Sequence, residues 1–76
     1  MDNKQIAKDI RSTVREATEM TEQWSGTIIA DKLQLQAEAV VRGIEDGKLE
    51  DVLENLLPEL KKTVDFAINT LEHQEN

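Results

Sequence analysis

The chain has 76 residues, no cysteine, and sixteen acids against nine bases, for a net charge of −7. A domain of this size hides only about 60% of the surface its unfolded chain exposes, so a single unit spanning residues 1–76 needs an efficient core or a partner. The missing cysteine excludes disulfides and thiolate metal sites, no stretch reaches the roughly 20 apolar residues of a membrane span, and the acidity opposes non-specific adhesion to nucleic acid or anionic lipid.

Three Gly, one Pro, no Tyr and one Phe, among many Leu, Glu, Lys, Ala and Gln, make a helix-forming composition, and an all-α chain is expected. The first helix is expected at about 4–24. Ile6, Ile10, Val14, Ala17, Met20 and Trp24 recur at steps of three and four and so share one stripe. Asp2 or Asn3 is its expected N-cap. In Trp24-Ser25-Gly26-Thr27, Gly26 suits a left-handed C-terminal position and Thr27 suits the N-cap of the next helix.

The second helix, about 28–45, aligns Ile29, Leu33, Ala37, Val40 and Ile44, with Ala30 and Val41 at the margin. Asp46-Gly47 then signals a turn. The third, about 48–73, carries Leu49, Leu53, Leu56, Leu60, Val64, Ala67 and Leu71 in near-heptad spacing, flanked by Val52, Leu57 and Ile68. Pro58 interrupts it. A proline inside a helix costs roughly 3 kcal/mol unless compensated, whereas at the first position of a new helix it is tolerated. Because the apolar phase survives across Pro58 without a reset, one kinked helix is favoured over two. The resulting architecture is an antiparallel three-helix bundle with short connections. At about 1.5 Å per residue the third helix would overhang the others unless it bends or meets a second subunit.

Several residues fall off these stripes. Ile28, Leu35 and Ala39 project from the side of the second helix opposite Leu33 and Val40, and Phe66 lies away from the Leu60-Val64-Ala67 line. They are candidate contacts for a second copy or another protein. The alternative is an ordinary bundle surface, with Phe66 folded inward by the kink. Residues 1–44 contain seven acids and six bases, and residues 45–76 nine acids and three bases, so the acidity belongs to the second part. There Glu50, Asp51 and Glu54 are candidates for orienting a basic protein surface, against the plain reading of a solvated face with acids near a helix N-terminus. On the first helix Lys4, Lys8, Arg11 and Arg15 form a basic strip, a possible nucleic-acid contact in a dimer, or merely an exposed charged face.

Catalytic chemistry is poorly represented, and no enzyme is expected. One His and no Cys preclude a Cys-His pair or a multi-histidine metal site within one chain. His73 falls in an expected frayed end and reads as a plain polar residue. Ser12 and Ser25 are the only serines, and no glycine-rich phosphate loop or calcium loop is present. The Asp-Ser-Leu attachment sequence of acyl carrier proteins is absent, Ser25 standing in Trp-Ser-Gly. No cofactor or metal is expected. The N-terminal residues Met1-Asp2-Asn3-Lys4 lack the apolar run of a signal peptide, which makes the cytoplasm the expected location. The expected function is that of a small acidic helical interaction module, a homodimeric regulator, inhibitor or adaptor. Alternatives are a nucleic-acid-binding dimer or a structural subunit of a helical assembly.

Overall fold

The computed structural model describes residues 3–72, apart from the side chain of Glu72. Three helices pack pairwise into an up-down-up bundle, and no strand occurs among the described residues. Helix α1 (Asn3–Gln23) and helix α2 (Ile28–Glu45) are regular. The third helix is continuous but changes its winding. An α-helical turn (Leu49–Asp51) leads into a π-helical segment (Val52–Leu56), then α-helix (Leu57–Ala67), then a second π-helical segment (Ile68–Glu72). Asn3 lies inside α1 rather than ahead of it. Asp2, His73 and the tail 74–76 lie outside the described residues.

Both turns follow from local chemistry. At the first, Gly26 has φ +94° and Thr27 caps α2, its Oγ1 accepting from the Ala30 amide at 3.1 Å and donating to the Trp24 carbonyl at 2.8 Å. At the second, Gly47 has φ +74°, the Lys48 amide donates to the Gly43 carbonyl at 2.8 Å, and the Gly47 amide donates to the Ile44 carbonyl at 3.1 Å. This pair of bonds is a Schellman motif, which satisfies carbonyls that the end of α2 would otherwise leave open.

The core comprises Ile10, Ala17 and Met20 of α1, Leu33, Ala37 and Val40 of α2, and Val52, Leu57, Leu60, Val64, Ala67 and Leu71 of the third helix. Ile6, Val14, Trp24, Ile29, Leu53, Leu56 and Ile68 are partly buried against it. Two expected core positions are corrected. Leu49 and Ile44 are both exposed, while Val52 is fully buried and Gly43 takes the inward position near the end of α2.

The winding change near Pro58 explains the first correction. The Leu57 amide bonds to the Val52 carbonyl, five residues back, where an α-helix would use the fourth. That widened turn inserts one residue and turns everything before it by about 100° relative to an unbroken helix. The buried line consequently steps from Val52 to Leu57. Pro58 follows in the first turn of the renewed α-helix, where its missing amide costs least, so the chain passes through the proline without breaking.

Candidate functional site

Of the off-stripe residues Ile28, Leu35 and Phe66 are exposed, and two of them line one groove. Ile28, at the start of α2, is 87% exposed and Phe66 is 58% exposed. They line the same open groove between α2 and the third helix, together with Ile29, Lys32, Glu59, Lys62 and Thr63. Antiparallel packing causes this juxtaposition, because it sets the first turn of α2 beside the later part of the third helix. Leu35, 68% exposed, lies two turns beyond Ile28 on the same side of α2, and Ala39 follows one turn later, half-buried. Lys32 and Lys62 flank the apolar side chains. With Glu59 they leave the groove a formal charge of +1 on a chain of −7.

Glu50, Asp51 and Glu54 lie toward the opposite end of the molecule and are exposed. They do not line the groove. The Asn55 amide Nδ2 donates to Asp51 Oδ1 at 2.7 Å, one helical turn apart. Lys4, Lys8, Arg11 and Arg15 are exposed on α1. Asp9, beside this strip, instead pairs with Lys61 of the third helix at 2.7 Å.

A second groove lies between α1 and the turn after α2. Ile6, Ala7, Ile10 and Arg11 of α1 surround it with Ile44 and Leu49, at the end of the bundle away from Phe66. In the sequence Ile6, Ile10, Ile44 and Leu49 fall on the apolar stripes expected to face the core, so periodicity does not mark it. Ser12 donates its hydroxyl to the Asp9 carbonyl at 3.1 Å, and Ser25 is exposed in the first turn. Among the described residues no group of three His, Asp or Glu side chains is placed to hold a metal, and no helix is long and apolar enough to cross a membrane. Comparison with protein-family models, curated proteins and solved structures gave no match.

Proposed function

We propose that this protein is a small helical interaction module of the cytoplasm that self-associates through the α2 and third-helix face and acts as a regulator or adaptor by binding, not by catalysis. The observation that carries the reading is that Ile28 and Phe66, both largely exposed, line one groove, with exposed Leu35 two turns beyond Ile28 on the same side of α2. Scattered exposed apolar residues are normal on any protein, but large ones gathered on one face are a feature of interfaces. An aromatic anchor with apolar neighbours and a charged rim is the usual composition of an interface centre.

Sedimentation equilibrium tests the reading. Wild type is expected to show a concentration-dependent mass rising to twice 8.6 kDa, and Leu35→Glu and Phe66→Glu are expected to remain monomeric while keeping their helical spectra. A wild-type monomer at millimolar concentration would remove self-association. The basic strip on α1 supports a second reading, in which a dimer contacts a nucleic-acid backbone. That reading requires retention on DNA or RNA at low ionic strength and loss as salt is raised.

A further inference from the structure

We infer that the start of the third helix is a two-register switch, held by Pro58 in the register that buries Val52 and able to rewind into one that buries Leu49 and Leu53. Two apolar lines overlap along this stretch. In the structure the Leu57 amide bonds to the Val52 carbonyl, five residues back, and Val52, Leu57 and Leu60 are buried, while Leu49 is 46% exposed and Leu53 only partly buried. Wound as α-helix throughout, the same residues would bring Leu49 and Leu53 within about 20° of the direction of Leu60 and turn Val52 about 80° away from it. A register shift that drove charged residues inward would be prohibited. Here each register offers valine or leucine to the core, which is the condition for two packings of one sequence to lie close in free energy.

Pro58 sets the balance between them. In the α register it lies inside a continuous helix, with its ring against the Glu54 carbonyl and no amide to donate, which disfavours that register by about a hundredfold. The π-helical turn adds a residue just before the proline and so places Pro58 in a first turn, where it is tolerated. On rewinding, Leu53 takes the place of Val52 opposite Gly43, and Asp46-Gly47-Lys48 takes up the displaced residue at the expense of the bond from the Lys48 amide to the Gly43 carbonyl. The α register is thus the minor state, at about 1%. Its formation alters the surface as well as the core. Leu49 lines the groove shared by Ile6, Ile10 and Ile44, and rewinding withdraws it from that groove while Val52 turns outward.

Cysteine labelling reads the two registers, because the chain has no cysteine of its own. Leu49→Cys, Val52→Cys and Ala67→Cys are made one at a time, each with Pro58 and with Pro58→Ala, and reacted with a maleimide. With Pro58 in place, the thiol at position 49 is expected to react at least about tenfold faster than those at the buried positions 52 and 67. Pro58→Ala is expected to bring the registers to comparable populations, raising the rate at position 52 at least about tenfold and lowering that at position 49 about twofold. Position 67 follows the proline and is buried in both registers, so its rate is expected to stay unchanged. Adding Leu53→Asp, which puts a carboxylate at an inward site only in the α register, is expected to return position 52 to its slow rate. An unchanged rate at position 52 in Pro58→Ala would overturn the switch. So would a rise matched at position 67, which marks unfolding of the whole bundle, or a rate at position 52 that Leu53→Asp leaves high.

Discussion

A methyl group added to Gly43 would lie 2.6 Å from Cγ2 of Val52 and 3.2 Å from Cδ1 of Leu56, so α2 and the third helix approach each other across a glycine. Val52 is β-branched and fully buried and cannot swing away as a long side chain would. Helix propensity alone favours Ala over Gly by about 1 kcal/mol, but overpacking of a tight core costs about 1–3 kcal/mol. Gly43→Ala is therefore expected to lower stability in urea unfolding. Combining it with Val52→Ala should cost less than the two separate losses added together, which a double-mutant cycle measures.

Thr27 ties the first turn to α2 through two hydrogen bonds of its hydroxyl. Thr27→Ala is expected to cost about 1 kcal/mol and Thr27→Ser much less, since serine keeps the capping oxygen. Thermal unfolding of the three proteins checks the order.

Pro58 gives a test of the π-helical turn. If the proline sat in an unbroken α-helix, replacing it with alanine would recover about 3 kcal/mol. Placed in the first turn after the Leu57-to-Val52 bond, Pro58→Ala is expected to raise stability by less than about 1 kcal/mol. Chemical denaturation separates the two magnitudes.

Lys61 and Asp9 join the third helix to α1 at 2.7 Å, with both side chains about half exposed. Exposed pairs contribute about 0.2–1 kcal/mol and are screened by salt. A double-mutant cycle with Lys61→Met and Asp9→Asn is expected to give a coupling in that range at low ionic strength, falling toward zero at about 1 M salt.

Much of this fold is legible in the sequence because its signals are local. Gly26-Thr27 and Asp46-Gly47 mark the turns through backbone requirements of two or three residues, and the α1 stripe follows from period alone. The register before Pro58 was not legible. A near-heptad continuing through Leu49, Leu53 and Leu56 fits an unbroken helix, and only the widened turn puts Val52 inward in place of Leu49. Gly43 carries no hydrophobic signal, so its inward position, with Ile44 outward, depends on how closely the third helix approaches. The exposed candidates Ile28, Leu35 and Phe66 could each be identified from phase. That Ile28 and Phe66 share a groove could not, since periodicity does not give the rotation of one helix relative to another. The Asp9–Lys61 pair, 52 residues apart, was hidden for the same reason.

If the proposed self-association covers the Ile28 and Phe66 face, residue-resolved amide spectra recorded along a dilution series will register it. The expected shifts follow one binding curve and centre on Ile28, Lys32, Leu35, Ala39 and Phe66. Spectra unchanged by dilution, or changes confined to Ile6, Ile44 and Leu49 at the other groove, would contradict it.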